Sequence, residues 1–175
     1  DPDTSQHLLS SAGNEDAFVV QLDSAGKLVW AARYGDIQDD QAIAIELDPF
    51  GNIALTGFFQ FTIDFDPGAG TFPLSSNGSR DAYVLKLTGA GIFRWAVSFG
   101  NNIFFDHGNG ISSDRHGSIY TTGIFADTVD FDPGANVFNL TVTGNWGNWQ
   151  TYIHKLDSSG NFVWAKAIGG PQDDW

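Results

Sequence analysis

The sequence predicts an all-β fold that is built from repeated units. The chain of 175 residues contains 21 glycines among many other turn-forming residues, and aromatic side chains make up 14% of it. One pattern of roughly 66 residues returns along its length. No stretch shows the period of an amphipathic helix, and turn signals come roughly every 8 to 12 residues, as in all-β proteins.

The repeat is fixed by three tryptophans that occupy the same place in successive copies. Trp30, Trp95 and Trp164 lie 65 and 69 residues apart, and each is followed directly by Ala. The segment from Asp64 to Gly68, Asp-Phe-Asp-Pro-Gly, recurs 66 residues later. Such self-similarity is the signature of a repeat architecture. Because their neighbours are apolar, we expect the three tryptophans to be buried packing residues.

The internal similarity divides the chain into about two and a half copies of the unit. We assign residues 1–15 to the end of a preceding repeat, 16–80 to the first repeat, 81–149 to the second and 150–175 to the start of a third. Neither end resembles a capping repeat with a polar outer face, which a free-standing array needs. The expectation is therefore a fragment of a larger array.

Each repeat is predicted to contain four strands that are separated by tight turns. In the first repeat the strands cover residues 17–22, 27–33, 42–47 and 52–59. The turns at Asp23–Gly26 and Asp48–Gly51 carry Asp first and Gly fourth, and this Gly can adopt positive φ. Residues 60–80 are left as a connector that joins one four-stranded unit to the next.

Four antiparallel strands per repeat, which cannot bury their faces alone, fit a blade of a β-propeller. The pattern that starts at Asp16, Asp-Ala-Phe-Val-x-x-Leu-Asp-x-x-Gly-x-x-x-Trp-Ala, is followed from Asp48 by Asp-x-x-Gly-Asn-Ile-x-x-Thr-Gly. Together they resemble the SBBP family, the β-propeller repeats of bacterial secreted and surface proteins. The resemblance covers nearly the whole chain and implies a seven-bladed propeller in an exported protein.

The composition argues against several functional classes. Eight basic residues face 21 acidic ones, for a net charge of −13, whereas a nucleic-acid partner requires clustered Lys and Arg. There is no Cys for a disulfide or a catalytic thiolate. No apolar run approaches the roughly 18 residues of a membrane span. Motifs of hydrolases, phosphate loops and zinc proteases do not occur, so we expect no enzyme.

Calcium is the candidate cofactor, at an acidic motif in the connector. Asp64 and Asp66 are two residues apart, so on a strand their carboxylates share a face about 7 Å apart. The Pro-Gly turn that follows could bring carbonyl oxygens to the same cation, and calcium accepts six to eight oxygens. Asp130 and Asp132 repeat the motif. The favoured alternative is that these aspartates cap the turn by accepting backbone N–H groups.

A Gly-rich segment in the second repeat is the candidate ligand site. Asn145, Trp146, Asn148 and Trp149 lie where this repeat is longer than the first. Exposed Trp beside Asn could stack on a sugar or anchor an interface. The alternative is that the rings fold back onto the neighbouring blade.

Four surface positions carry glycosylation patterns. Asn77 and Asn139 begin Asn-x-Ser/Thr sequons. Ser24 and Thr128 lie in the pattern Asp-Ser/Thr-apolar, which resembles the O-glycosylation motif of Bacteroidota.

The sequence as a whole predicts a non-enzymatic repeat segment of an extracellular or cell-surface bacterial protein, with a structural or adhesive role. Its expected partners are neighbouring blades of the same protein, or further copies in a larger assembly. A glycan-binding propeller module is the first alternative. The second is an enzyme whose active site lies in blades that this chain lacks.

Overall fold

The structure, a computed structural model, describes residues 8–144 and 147–174. In these ranges the chain forms fourteen strands and no helix, so none of the described residues forms a helix that could span a membrane. The strands, numbered in chain order, are β1 Ala17–Leu22, β2 Leu28–Tyr34, β3 Gln41–Leu47, β4 Ile53–Phe59, β5 Thr62–Asp64, β6 Pro73–Ser75, β7 Asp81–Leu87, β8 Phe93–Phe99, β9 His107–Ser113, β10 Ile119–Ala126, β11 Thr128–Asp130, β12 Asn139–Thr141, β13 Trp149–Leu156 and β14 Phe162–Ile168.

The strands assemble into antiparallel sheets, and two of these sheets have the four strands predicted for a blade. The central blade has the spatial order β3-β4-β7-β8, and the C-terminal blade has the order β9-β10-β13-β14. Strands β1 and β2 form a separate N-terminal hairpin. The prediction of an all-β fold with four-stranded antiparallel blades is confirmed, and the sheets described here do not close into a ring.

The expected grouping of strands into blades was wrong. Residues 60–80 do not link one sheet to the next, because β4 pairs with β7 from Ile53↔Leu87 to Phe59↔Asp81 across the predicted repeat boundary. Every residue of β4 and β7 is buried. Strands buried on both faces take the central positions, where both of their edges are hydrogen-bonded. The connector is therefore an excursion within one blade.

The core lies between the sheets, in two layers. The first layer joins the N-terminal hairpin to the central blade, and it contains Val19 and Tyr34 against Leu55 and Leu85. The second layer joins the central blade to the C-terminal blade. Its buried residues are Ala54, Ala82, Val84, Phe99, Ile119, Phe125, Val129, Phe131, Tyr152, Leu156 and Ala165. Each sheet is thus stabilised mainly by the sheet that follows or precedes it, as in repeat proteins.

Each connector contains a short hairpin that the sequence did not predict. Strands β5 and β6 pair in the first connector, and β11 and β12 in the second. Phe65, just after β5, is fully buried with its ring centroid 5.0 Å from that of Tyr83. The chain enters the first hairpin at Phe61, which has φ 57°, and it enters the second at the equivalent Asp127, which has φ 53°. This left-handed conformation is uncommon for residues other than Gly, Asn and Asp.

The repeat tryptophans are equivalent, as expected, but they are half-buried rather than buried. Trp30, Trp95 and Trp164 lie on β2, β8 and β14. The indole N–H of Trp30 donates to the Gly89 carbonyl at 3.3 Å, in a turn of the next sheet. The rings lie at the rim of the blades, and this position leaves part of their surface exposed.

Candidate functional site

The candidate site lies at the end of the blades where the loops between sheets meet the connectors. Loop 35–40 leads from the N-terminal hairpin to the central blade, and loop 100–106 leads from the central blade to the C-terminal blade. A buried Asp closes each loop. Asp40 accepts N–H groups of Asp36 and Gln60, both at 2.9 Å.

Asp106 repeats this arrangement in the second loop. Its carboxylate accepts the N–H of Asn101 at 2.8 Å and the N–H of Ala126 at 3.1 Å. These bonds tie the loop to the end of strand β10, so the loop is held on a rigid support. Burial raises the pKa of Asp106 to about 8, although the N–H donors act in the opposite direction.

Another buried carboxylate, at a different repeat position from Asp40 and Asp106, lies at the start of the third strand of the central blade. Asp81 accepts the N–H of Asn77 at 3.0 Å through one oxygen, and the other oxygen has no partner among the described residues. Burial raises its pKa to about 6. The equivalent Asp16 forms an ion pair with Arg33, and the third equivalent is the neutral Gln150. Among these three equivalent positions, Asp81 is the one buried carboxylate without a cationic partner in the described structure.

A cation packed between aromatic rings joins the two loops. Arg80 lies over the rings of Phe58 and Phe105, at 4.4 and 5.2 Å from their centroids, and it pairs with Asp39 at 3.2 Å. His107 stacks on Phe58 at 4.5 Å. Burial, and then the charge of Arg80, lower the pKa of His107 to about 4. This residue is therefore neutral at pH 7.

Two of the four predicted ligand residues, Asn145 and Trp146, lie outside the described residues. Trp149 donates its indole N–H to the Phe105 carbonyl at 3.1 Å, and its ring meets the edge of Phe104. Asn148 donates its amide to the Pro171 carbonyl at 2.9 Å. Trp149 and Asn148 therefore pack on the neighbouring loops, as the alternative interpretation describes. Glycan binding stays a prediction.

An exposed apolar surface lies on the same loops. We define the loop-end surface as Ile37, Phe61, Ile103 and Phe105, all of which are exposed. The contacts given above connect the segments that carry these residues. The Asp40 carboxylate accepts the N–H of Gln60, which precedes Phe61. Arg80 pairs with Asp39 and stacks on Phe105. Two carboxylates, Asp36 and Asp39, lie in the same loop as Ile37. In the described parts of these loops and connectors, Arg80 is the only Lys or Arg side chain.

Sequence reasoning missed Arg80, Ile103 and Phe105. A signal was present, because Glu15, Arg80 and Trp149 directly precede the equivalent residues Asp16, Asp81 and Gln150 and so occupy one repeat position. Their backbone carbonyls accept equivalent N–H groups, those of Asp40, Asp106 and Asp174. A position that holds such different side chains on one backbone is a place where specificity can vary.

The acidic connector motif forms turn caps. Asp64 accepts the N–H groups of Asp66 and Phe72 at 3.0 and 2.7 Å, and Asp66 accepts that of Gly68 at 2.8 Å. Asp130 and Asp132 make the equivalent bonds. The described residues contain no group of three or more His, Asp or Glu side chains that could hold a metal ion. Calcium binding stays a prediction, which calorimetric titration of the wild type against Asp64→Asn would test.

The glycosylation candidates are all on the surface. Ser24, Asn77, Thr128 and Asn139 are exposed, in turns and connectors. They remain predictions.

The described residues form propeller-like blades that do not close into a ring, and exposed apolar side chains lie on the loops between the blades. No family model matches the chain, so the resemblance to the SBBP repeats stays a prediction. The chain is 27% identical over 128 residues to the uncharacterized WD repeat-containing protein L264 of Acanthamoeba polyphaga mimivirus. The match covers 65% of this chain but 9% of that protein. This distant similarity is consistent with a β-propeller-like repeat fold.

Proposed function

We propose that the chain is a section of a non-catalytic β-propeller that works as a protein-binding scaffold, with the loop-end surface as its binding site. The observation that carries the proposal is the exposure of Ile37, Ile103 and Phe105 on loops that buried aspartates hold in place. Large exposed apolar side chains that lie together on a rigid support mark interaction sites.

The charge around the patch indicates the chemistry of the partner. Asp36 and Asp39 lie in the loop of Ile37, and Arg80 is already paired with Asp39 and stacked on Phe105. A partner segment with Lys or Arg beside Leu or Phe would complement both features. Electrostatic complementarity of this kind increases association rates and selects partners.

The non-catalytic part of the proposal is supported by where the perturbed carboxyl groups lie. Asp81 and Asp106 have raised pKa values, which in a cleft would suggest catalysis. Both are completely buried, and Asp106 already accepts several N–H groups. A substrate could not reach them without opening the seam between the blades.

We further propose the extracellular, structural or adhesive role that the sequence predicts. Its support is the resemblance to secreted propeller repeats and the exposure of Ser24 and Thr128 in an O-glycosylation pattern. Digestion of intact cells with an external protease tests it. Removal of the protein from intact cells is the expected result, and complete protection would contradict an external location.

The binding proposal is tested with fluorescein-labelled peptides of defined composition. We expect a peptide of Arg and Leu to bind more tightly than one of Glu and Leu, and salt to weaken the binding. Ile103→Ser with Phe105→Ser should reduce affinity by about tenfold or more, which is about 1.4 kcal/mol. Ile92→Ser is the matched control, since Ile92 is equally apolar and exposed but lies in the turn at the opposite end of the blade. Equal loss in both variants would contradict the proposal.

A further inference from the structure

A cavity of about 410 Å³ lies between the central and C-terminal blades, at the end opposite to the loop-end surface. It is bounded by the turn 48–51 of the central blade and by the turns 114–117 and 157–160 of the C-terminal blade. All four strands of both blades are described, so the cavity lies within the stack of sheets. Its lining residues are Asp48, Phe50, Asn52, Lys86, Arg94, His116, Ser158 and Ser159.

The charge of this cavity is positive, in a chain with a net charge of −13. Asp48 is the carboxylate in the lining, and Lys86 neutralises it at 2.9 Å. Arg94 has no carboxylate partner among the described residues. Arg115 also has none there, and its Nε–H donates to Nε2 of His116 in the lining at 2.9 Å. The other two arginines of the chain each pair with a carboxylate, so the two unpaired guanidinium groups lie at one cavity.

The guanidinium group of Arg94 is held in position by a buried network. Its Nη1–H donates to the side-chain oxygen of Asn52 at 2.9 Å, and the Asn52 amide donates to the Asp48 carboxylate at 2.9 Å. Asp48 is in turn fixed by the buried Lys86. The remaining N–H groups of Arg94 have no partner among the described residues. A guanidinium group held in this way presents a planar fork of donors that matches a carboxylate.

The neutral groups of the lining match hydroxyl groups rather than a second charge. Ser158 and Ser159 are exposed, and their hydroxyls have no partner among the described residues. His116 accepts a hydrogen bond at Nε2, so its Nδ1–H is left to donate. The backbone N–H groups of His116 and Ser159 are already bonded to turn aspartates, both at 2.8 Å. The cavity therefore lacks the free backbone N–H groups that cradle a phosphate.

Aromatic rings lie on both sides of Arg94. Phe50, in the lining, is 67% exposed. A second cavity of about 520 Å³ adjoins the first, and Arg94 and the two serines line both. Trp95 and Phe93 belong to this second cavity. Apolar ring surface beside a few fixed polar groups is typical of small-ligand sites, and a sugar ring offers a C–H face for such a surface and hydroxyls at its edge.

We infer that this cleft binds an acidic sugar, whose carboxylate pairs with Arg94. The ring hydroxyls bond to Ser158, Ser159 and His116, and the C–H face of the ring packs on Phe50 or Trp95. An acidic side chain of a peptide would satisfy Arg94 but leave the hydroxyls and the imidazole N–H unmatched. The site is specific to this seam, because Val29 and Val163 replace Arg94 in the other repeats. It is independent of the loop-end surface.

The inference is tested by titrating the intact chain with glucuronate, with the indole N–H signals of the tryptophans as NMR reporters. We expect saturable binding that shifts the signal of Trp95, which donates to the Ser158 carbonyl at 3.1 Å, and leaves that of Trp30 unchanged. Glucose has the ring without the carboxylate, and acetate has the carboxylate without the ring. Each should bind about tenfold more weakly or worse.

Variants of the cation separate a fitted site from general attraction of anions. Arg94→Gln should reduce glucuronate affinity by about tenfold or more, and Arg94→Lys should lie between this variant and the wild type, since it keeps the charge but not the fork. Arg94 is exposed, so both variants should fold. Lys166→Gln is the matched control, because it removes one exposed cation that lines neither cavity. It should bind like the wild type.

Three results would overturn the inference. The first is the absence of saturable glucuronate binding at Trp95. The second is an equal loss of affinity in Arg94→Gln and Lys166→Gln, which would show attraction by overall charge. The third is a peptide of Glu and Gly that binds more tightly than glucuronate, which would make the cleft a peptide site.

Discussion

The central and C-terminal blades share one topology and one register, yet equivalent residues have different surroundings. Lys86 and Asp48 of the central blade form an ion pair at 2.9 Å, and their side chains are 2% and 0% exposed. The equivalent Lys155 and Asp114 are 3.4 Å apart and 19% and 25% exposed. The difference arises from the C-terminal blade, which packs on the central blade and covers its Lys86 and Asp48.

The next sheet also supplies a hydrogen bond. Lys86 donates to the Gly117 carbonyl of the C-terminal blade at 2.9 Å, whereas Lys155 donates to the Tyr120 hydroxyl of its own blade at 2.6 Å. Burial alone would raise the pKa of Asp48, but hydrogen bonds from Asn52 and Lys86 lower it to about 2. The comparison shows that this Lys–Asp pair is buried in the blade on which a following sheet packs and is partly exposed in the other.

The largest effect is expected from removing the buried cation. Lys86→Met should destabilise the fold by about 3–5 kcal/mol, because Asp48 would stay buried without its partner. Lys155→Met, the matched change in the C-terminal blade, should cost clearly less because water reaches both partners. Urea unfolding of both variants measures the difference, and equal losses would break the comparison.

A smaller difference is expected at the rim tryptophans. Trp95→Ala should cost about 2–4 kcal/mol, since it removes ring packing on Gly160 and the bond to the Ser158 carbonyl. Trp164→Ala should cost less than half of that, because in the described structure its ring contacts Tyr120 of its own blade and no turn glycine of a following sheet. Thermal unfolding of the two variants compares the losses. A loss at Trp164 as large as that at Trp95 would show that packing on the next sheet does not stabilise Trp95.

The buried carboxyl group of Asp81 gives a prediction about how the stability of the protein depends on pH. The pKa of Asp81 is raised to about 6 in the folded state, so its contribution to stability is complete below about pH 4 and is lost as the pH rises through 6. Asp81→Asn should therefore stabilise the protein at pH 8 relative to pH 4, by on the order of 2–3 kcal/mol. Melting temperatures at the two pH values measure this gain.

The control for this prediction is the equivalent aspartate of the N-terminal hairpin. Asp16→Asn should destabilise the protein at pH 8, because Arg33 would lose the partner of its ion pair. A gain at pH 8 in both variants would show that the surroundings of Asp81 are not special.

The smallest effect is expected at a histidine in the seam. His154 is fully buried among Phe99, Phe131 and Phe162, at the position that Leu85 occupies in the central blade. Burial lowers the pKa of His154 to about 4. The contribution of its neutral imidazole to stability is therefore complete above about pH 6.5 and is lost as the pH falls towards 4. His154→Leu should add about 1–2 kcal/mol at pH 7, and more at pH 5.

Urea unfolding at pH 5 and pH 7 measures both gains. Leu85→His is the converse change and should destabilise the central blade. A His154→Leu variant with no greater gain at pH 5 would contradict the neutral buried imidazole.

Much of the local structure could be predicted from the sequence. Strand β1 was predicted at its observed bounds, β2 is shifted by one residue at both ends, and β3 begins one residue earlier than predicted. The turn glycines Gly26 and Gly51 have φ values of 78° and 77°, as the turn chemistry requires. The connector hairpins were missed because strands of three residues are too short to show a period.

What could not be predicted depends on contacts distant in sequence. The grouping of strands into blades is decided by which strands are buried on both faces, and single-strand patterns do not show this. The composition of its segment singled out Trp149, and whether it binds a ligand stays a prediction, but its bond to Phe105 joins residues 44 positions apart and could not be predicted. The role of Arg80 could not be predicted, because the two aromatic rings and the carboxylate that it contacts come from three separate segments.

The central claim is that each sheet is stabilised by the following sheet, which packs on the face that carries its rim tryptophan. Hydrogen exchange of the indole N–H groups, followed by NMR in dilute protein, tests it most directly. We predict slow exchange for Trp30 and Trp95, whose N–H groups bond to turn carbonyls of the next sheet, and fast exchange for Trp164. Exchange at Trp95 as fast as at Trp164 would contradict the claim.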